Sequence, residues 1–109
     1  MTALKQRPAR GVSPDRVSVV ISTYQQPLQL NACLRALSEG SVLPGEVLIA
    51  DDGSGEETAE VVRSWNEKLP IPVEYCWHED QGFFKARAVN MALARSTLDY
   101  VLFVDCDCM

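Results

Sequence analysis

The run Val17-Ser18-Val19-Val20-Ile21, followed at once by Ser22-Thr23-Tyr24, decides how the fold begins. β-Branched and apolar residues fill the run almost without interruption, which is typical of a strand buried on both faces of a parallel sheet. A second run of this kind, Val47-Leu48-Ile49-Ala50, ends in Asp51-Asp52-Gly53-Ser54. Both runs stop abruptly at polar residues, so they predict two buried strands with ligand-capable side chains at their carboxyl ends.

Helical patterns separate these strands from two others. The third strand, Val73–Trp77, alternates apolar and polar residues as a half-exposed strand does, and the fourth, Tyr100–Val104, is a continuous apolar run. Pro27 suits the first turn of a helix, and Gly40 suits a helix end. Apolar residues at helical intervals define three helices: Leu30, Cys33, Leu34 and Leu37; Val61, Val62, Trp65 and Leu69; and Phe84, Ala88, Met91 and Ala92.

Strands that alternate with helices predict an α/β fold, a Rossmann-like parallel sheet with helices on both faces. The continuous first and second strands suit the centre of the sheet and the alternating third suits an edge, which gives the order 3-2-1-4. The connections then reverse direction between strands 1 and 4, where open α/β sheets bind their ligands. The folded domain is expected to cover residues 16–109, and residues 1–15, which lack periodicity, are expected to form a flexible tail.

Length, composition and charge narrow the class of protein. The chain has 109 residues, 47% of them hydrophobic, which suits one globular domain. A net charge of −5 argues against a nucleic-acid partner, because phosphate backbones need a positive footprint. Four cysteines and one histidine include no pair at zinc-ligand spacing, so free thiols are expected. No apolar run is long enough to span a bilayer. The pattern therefore predicts a cytoplasmic protein.

The predicted tail is basic, with Lys5, Arg7 and Arg10 inside it and Arg16 directly after it. A disordered tail and a tail that touches an anionic membrane surface both fit this composition. A peripheral association with membranes therefore stays open beside the cytoplasmic prediction.

The polar residues at the ends of strands 1 and 2 have two interpretations each. No glycine-rich phosphate loop follows strand 1, so Ser22, Thr23 and Tyr24 either hold a base by hydrogen bonds and stacking or form an ordinary turn. Asp51 and Asp52 either offer one carboxylate to a base or ribose or serve as turn residues. Adjacent carboxylates point in different directions, so only one of the two needs to face a ligand.

Strand 4 ends in Asp105-Cys106-Asp107, where alternate residues of an extended segment face the same way. Two converging carboxylates repel each other unless a cation neutralises them, and a hard divalent ion that also binds diphosphate oxygens fits. A solvated acidic turn is the alternative. Before this strand, Gly82 allows close approach or a positive φ, and Lys85 or Arg87 near a helix start suits phosphate oxygens. A solvated helix surface explains the two cations equally well.

Taken in order, four stretches resemble the family 2 glycosyltransferases of the GT-A fold over residues 16–109. They are Val17 to Tyr24, Glu46 to Ser54, Glu79 to Asn90, and Asp99 to Cys108. Each stretch alone is unspecific, and their order and spacing carry the resemblance. Glu79-Asp80-Gln81-Gly82-Phe83 resembles the members that make polysaccharides or glycan chains. Thr23 departs from a common proline and Phe84 from a common basic residue.

The resemblance implies the donor half of an enzyme that transfers sugar from a nucleotide-diphosphate sugar, UDP-linked by preference. It implies a base site at Ser22, Tyr24 and Asp52, phosphate or ribose contacts from Lys85 or Arg87, and Mn²⁺ or Mg²⁺ on Asp105 and Asp107 of the D-x-D motif. The full set of expected donor-binding residues is Ser22, Thr23, Tyr24, Asp51, Asp52, Asp80, Gly82, Lys85, Arg87 and Asp105.

Members of that family continue beyond the D-x-D motif into an acceptor-binding half that supplies the general base. The resemblance therefore implies that the base lies beyond Met109, that the chain alone transfers little sugar, and that the fourth strand exposes an apolar edge open to self-association. A non-catalytic nucleotide-binding module of the same fold is the alternative. A phosphorylation receiver domain fits poorly, because its paired acids would follow the first strand, which here ends in Ser22-Thr23-Tyr24.

Overall fold

The computed structural model describes residues 13–80, 82 and 85–106. A short 3-10 helix, Pro14–Arg16, precedes an alternation of four strands and three α-helices. In chain order these are β1 (Val17–Thr23), α1 (Pro27–Ser38), β2 (Glu46–Asp51), α2 (Glu56–Lys68), β3 (Val73–Trp77), α3 (Lys85–Arg95) and β4 (Tyr100–Asp105). Pro27 opens α1 as predicted, and two glutamates occupy the first turn of α2, where the helix dipole favours negative charge.

The four strands form one parallel sheet in the order β3-β2-β1-β4. This confirms the predicted order. All seven residues of β1 are buried, because β1 lies between two strands and both of its faces are covered. The direction of the connections reverses between β1 and β4, so the carboxyl ends of these two strands border the crevice expected in such sheets.

Helices cover both faces of the sheet. On one face, α1 and α2 pack Leu30, Leu34 and Trp65 against the odd-numbered residues of β1. On the other face, α3 packs Ala88 and Ala92 against Val20, Leu48 and Cys76. The small alanine side chains let α3 approach the sheet closely. The α/β architecture with helices on both faces is thereby confirmed.

The fourth strand is only partly buried, in keeping with the exposed apolar edge expected of it and not with the fully buried strand that its apolar run alone indicates. None of the residues of β4 is fully buried, and Phe103 is 53% exposed. The reason is position: β4 pairs with β1 on one side, and no described strand pairs with its other side. An apolar run of this kind does not tell a central strand from an edge strand, because neighbouring elements decide how much of it is covered.

The predicted tail lies mostly outside the described residues. Of its fifteen residues, 1–12 are outside, and Pro14 and Asp15 belong to the 3-10 helix. Arg16 then pairs with Asp99 across 2.5 Å, which links the start of the domain to the start of β4. In the described part of the chain, no helix combines the length and the apolar character that crossing a membrane requires.

Candidate functional site

The carboxyl ends of β1, β2 and β4 meet at one edge of the sheet. In the strand register, Ser22 lies beside Asp105 and Thr23 lies beside Asp51. Backbone hydrogen bonds extend this pairing past the strands, because the Asp52 N–H donates to the Thr23 carbonyl across 3.2 Å. A cavity of about 250 Å³ opens at this edge, lined by Ser22, Thr23, Tyr24, Gln26, Ala50, Asp52, Lys85 and Asp105.

Asp51 is fully buried and holds the turn after β2. Its Oδ1 accepts hydrogen bonds from the Ser54 N–H at 2.9 Å, the Ser54 hydroxyl at 2.6 Å and the Gly53 N–H at 3.2 Å. Its Oδ2 accepts a short hydrogen bond from the Tyr75 hydroxyl on β3. Burial is the larger cause that raises the pKa of Tyr75, and this hydrogen bond is the second. Both oxygens of Asp51 are thus engaged by the protein, and Asp51 does not line the cavity.

Asp52 faces the opposite way and lines the cavity, although it is only 3% exposed. His78 lies behind it, with Nε2 at 3.0 Å from Oδ1 of Asp52, and both side chains are largely shielded from water. The contact is within ion-pair distance but lacks the geometry of a hydrogen bond. From the sequence, the histidine was weighed only as a zinc ligand. His78 is the only histidine of the chain and follows β3 directly, at the edge of the sheet where the cavity opens, and this position could have indicated a place in the site.

Gly53 lets the loop after β3 approach the turn after β2. Its φ is +106°, and a Cβ there would lie 2.4 Å from Cα of Asp80. Asp80 in turn accepts hydrogen bonds from the Tyr24 hydroxyl at 2.7 Å and from the Gly82 N–H at 3.1 Å. The Tyr24 hydroxyl, followed by the Gly82 N–H, lowers the pKa of Asp80, and the same carboxylate raises the pKa of Tyr24. Asp80 therefore orients the Tyr24 ring at the cavity.

The turn after β1 carries a residue in an uncommon backbone conformation. Gln25 has φ of +50°, a left-handed conformation that costs a non-glycine residue about 1 kcal/mol. Its N–H donates to the Ser54 hydroxyl across 2.7 Å, and the Trp77 indole donates to the Ser54 carbonyl across 2.9 Å. Ser54 therefore connects the turns after β1 and β2 with the end of β3. The sequence indicated a turn at Ser54 but not this connection.

At the β4 side of the cavity, Lys85 places its ammonium group 2.8 Å from Oδ2 of Asp105. The two side chains are 43% and 37% exposed, so water screens this ion pair. The carboxylate of Asp105 thus lies at the cavity wall and attracts a cation, which is the chemistry a hard divalent ion needs from its ligand. Asp107, the second predicted metal ligand, lies outside the described residues, among which no cluster of three or more acidic, cysteine or histidine ligands occurs.

Six of the predicted donor-binding residues line the same cavity: Ser22, Thr23, Tyr24, Asp52, Lys85 and Asp105. The other four, Asp51, Asp80, Gly82 and Arg87, are not among the residues that line it. Asp80 acts on the cavity through Tyr24, and Gly82 has the positive φ, +93°, that the sequence allowed for it. Arg87 is exposed on α3. Gln26 and Ala50 line the cavity without having been predicted. The ligand roles of all these residues stay predictions.

The family model of glycosyl transferase family 2 matches residues 18–109. The chain therefore belongs to glycosyl transferase family 2. The hyaluronan synthase of Pasteurella multocida is 31% identical over 94% of this chain, which spans 11% of that enzyme. The chondroitin synthase of Escherichia coli is 32% identical over 95% of this chain and 15% of its own length. The chain spans less than a third of the length of these curated relatives.

Solved structures agree with the family. The mannosyltransferase PcManGT of Pyrobaculum calidifontis, determined in complex with GDP-Man and Mn²⁺, superposes with a TM-score of 0.71 at 26% identity. The superposition covers 94% of this chain and 32% of that one. The glucosyl-3-phosphoglycerate synthase of Mycobacterium tuberculosis shares the fold with a TM-score of 0.63 at 20% identity, over 87% of this chain and 33% of that one. The predicted GT-A fold is confirmed.

Proposed function

We propose that this chain forms the donor site of a glycosyltransferase that binds a nucleotide-diphosphate sugar together with a divalent metal ion. One observation carries the proposal: a single cavity gathers a hydroxyl and aromatic group from β1, a carboxylate from β2 and an acidic group from β4. Tyr24 offers a ring for stacking on the base, and Asp52 offers an acceptor for a base or ribose donor. The mannosyltransferase determined with GDP-Man and Mn²⁺, which shares the fold, supports a nucleotide-sugar donor and a divalent metal.

The metal belongs at the β4 side. Asp105, with Asp107 outside the described residues, would hold Mn²⁺ or Mg²⁺, which when bound neutralises the charge that develops on the departing diphosphate. Lys85 is the protein's own cation at this place, since its ammonium group already contacts Asp105. When a donor binds, we expect Lys85 to exchange its contact with Asp105 for one with a phosphate oxygen, because the exposed ion pair costs little to break.

UDP-sugars are the proposed donors, and polysaccharide or glycan synthesis is the proposed process. The similarity to hyaluronan and chondroitin synthases over almost the whole chain supports the process. The uridine preference rests on the resemblance alone. The 109 residues by themselves are expected to transfer little or no sugar, because they span only a small part of each relative and no described residue is assigned as the general base.

Calorimetric titration of UDP with and without Mn²⁺ tests the proposal. We expect metal-dependent binding that Asp105→Ala and Asp107→Ala abolish. Asp99→Ala is the matched control, because Asp99 is an exposed aspartate that pairs with Arg16 at the other end of β4. Titrations of GDP and dTDP decide the base. A folded chain that binds none of the three nucleotides would contradict the proposal.

A non-catalytic nucleotide-binding module of the same fold is the second candidate, and it would have the same cavity. The two candidates separate when the chain is fused to the acceptor half of an active relative. Sugar transfer by the fusion supports the donor domain, whereas tight nucleotide binding without transfer supports the module.

Two further proposals concern surfaces. An apolar groove of about 520 Å³ runs between α1 and β4, where Val42 and Phe103 are more than half exposed, which supports self-association at the β4 edge. Sedimentation velocity at increasing concentration tests it, and a monomer throughout would contradict it. The second surface proposal is that the protein is cytoplasmic and associates peripherally with membranes through its basic tail. Flotation with anionic vesicles tests it, and a chain that stays with the soluble fraction would contradict it.

A further inference from the structure

The contact between His78 and Asp52 needs a second proton to be favourable. Nδ1 of His78 lies 2.8 Å from the carbonyl oxygen of Glu79, which can only accept, so Nδ1 carries a hydrogen there. In a neutral ring with that hydrogen, Nε2 has a lone pair, and this lone pair lies 3.0 Å from Oδ1 of Asp52. The other neutral tautomer turns a lone pair towards the Glu79 carbonyl instead. Only the imidazolium form removes both repulsions.

The surroundings favour that positive charge. Asp52 faces Nε2 from the turn after β2, and Asp80, in the same loop as His78, interacts with it electrostatically. Asp51 adds a further carboxylate beside Asp52 in the turn. The Tyr24 hydroxyl donates to Asp80, and the cation Lys85 lines the same cavity as Asp52. The described groups named here therefore include more carboxylates than cations. Burial of both side chains strengthens the attraction, since water screens it little.

We propose that His78 is a positioning residue for the nucleotide: with both ring nitrogens protonated it holds Asp52 correctly oriented in the cavity, so nucleotide affinity depends on the protonation of His78. The inference rests on the proposed function, because it assigns Asp52 to the nucleotide. Without the second proton, a lone pair faces either Asp52 or the Glu79 carbonyl, and we expect nucleotide affinity to fall. His78 touches no reacting atom in this role.

Three variants separate charge from structure. His78→Gln keeps an amide donor of similar reach but cannot titrate, so its nucleotide affinity loses the pH dependence that residue 78 contributes and keeps that of the UDP phosphate. His78→Leu removes the donor and is expected to weaken nucleotide binding about tenfold at every pH. Glu79→Gln is the matched control: it removes an adjacent exposed charge and keeps the backbone carbonyl that His78 contacts, so the pH dependence stays that of the natural chain.

The first measurement needs no ligand. The chain has one histidine, so long-range ¹H–¹⁵N correlation spectra show a single imidazole. We expect both ring nitrogens to be protonated in the folded chain at about pH 6, as the contacts with Asp52 and the Glu79 carbonyl require. A neutral ring already at about pH 6, in a folded chain, would overturn the inference.

The second measurement is the titration of UDP with Mn²⁺ between about pH 6 and about pH 8.5. We expect the affinity of the natural chain and of Glu79→Gln to fall about three- to tenfold relative to that of His78→Gln at the same pH, a comparison that cancels the titration of the UDP phosphate at about pH 6. If His78→Gln keeps the full pH dependence while UDP still binds, the role of His78 is refuted and the proposed function stands. If neither UDP nor GDP binds at any pH, both fail together.

Discussion

The aspartates at the carboxyl ends of β2 and β4 differ in how many protein contacts hold them and in how exposed they are. At the end of β2, Asp51 is completely buried and Asp52 is 3% exposed, and donors from Gly53, Ser54 and Tyr75 satisfy Asp51 from three directions. At the end of β4, the side chain of Asp105 is 37% exposed and forms an ion pair with Lys85. The β2 end is therefore built before any ligand arrives, whereas the β4 end can change partners. This division suits a fixed base pocket beside an adaptable metal and phosphate pocket.

The largest effect that tests this comparison is expected at Asp51. Replacing Asp51 with alanine leaves the donors of Gly53, Ser54 and Tyr75 buried without their acceptor, so the free energy of unfolding should fall by about 3–5 kcal/mol. Asp105→Ala should change it by less than about 0.5 kcal/mol, because its ion pair is exposed. Urea denaturation of the two variants measures both. Equal losses would show that the two ends are held alike.

Gly53 gives the next largest effect. Gly53→Ala places a Cβ both in a positive-φ residue and against the backbone of Asp80, so we expect a loss of about 2–4 kcal/mol. Gly82→Ala is the matched control: its φ is also positive, but no atom of the described residues lies within 4 Å of its added Cβ. The difference between the two variants in thermal or urea unfolding isolates the close approach of the two loops. Similar costs would mean that this approach contributes little.

Tyr75 makes the stability of the β2 end depend on pH. Its pKa is raised in the folded chain, so the folded state keeps the phenol proton longer than the unfolded state does. The associated stability is fully present below the ordinary tyrosine pKa of about 10 and is lost as the pH rises above it. Tyr75→Phe should cost about 1 kcal/mol at neutral pH and should flatten the fall in unfolding free energy between about pH 9 and about pH 11.

Part of that alkaline loss should remain in Tyr75→Phe. Burial raises the pKa of Cys33 to about 11, so this thiol also binds its proton more tightly in the folded chain. Urea denaturation at a series of pH values separates the two groups. A slope unchanged by Tyr75→Phe would show that the Asp51 contact does not govern the titration of Tyr75.

The smallest effect on stability is expected at the β4 end. Lys85→Ala breaks the exposed pair with Asp105 and should lower the free energy of unfolding by less than about 0.5 kcal/mol. Arg95→Ala, which breaks another exposed pair on α3 with Glu74, is the matched control and should cost a similar amount. The two should differ in UDP titration with Mn²⁺, where only Lys85→Ala weakens binding. A stability loss above about 2 kcal/mol for Lys85→Ala would show that this end is also prebuilt.

Asp51 and Asp52, which are adjacent in the chain, show what could not be predicted from the sequence. The pattern left a ligand role and a turn role open for Asp51 and Asp52, and the resemblance selected Asp52 for the base. Asp51 does not face the cavity because Ser54 and Tyr75 hold its carboxylate. No local pattern reveals that Tyr75, on the third strand, reaches Asp51 at the end of the second. His78 was missed for the same reason, since its partner Asp52 is distant in sequence and meets it only because β2 and β3 pair in parallel.

The sequence by itself determined the alternation of strands and helices, the sheet order, the family and the strand ends at which the polar residues cluster. Apolar periodicity and turn residues are local signals that suffice for the elements, the sheet order and the strand ends, whereas the family came from the resemblance of four stretches in order. Only the tertiary structure decided that Asp51 supports the turn while Asp52 faces the cavity, and that His78 stands behind Asp52. These features depend on contacts between elements far apart in the chain, where burial and hydrogen-bond partners are set by packing.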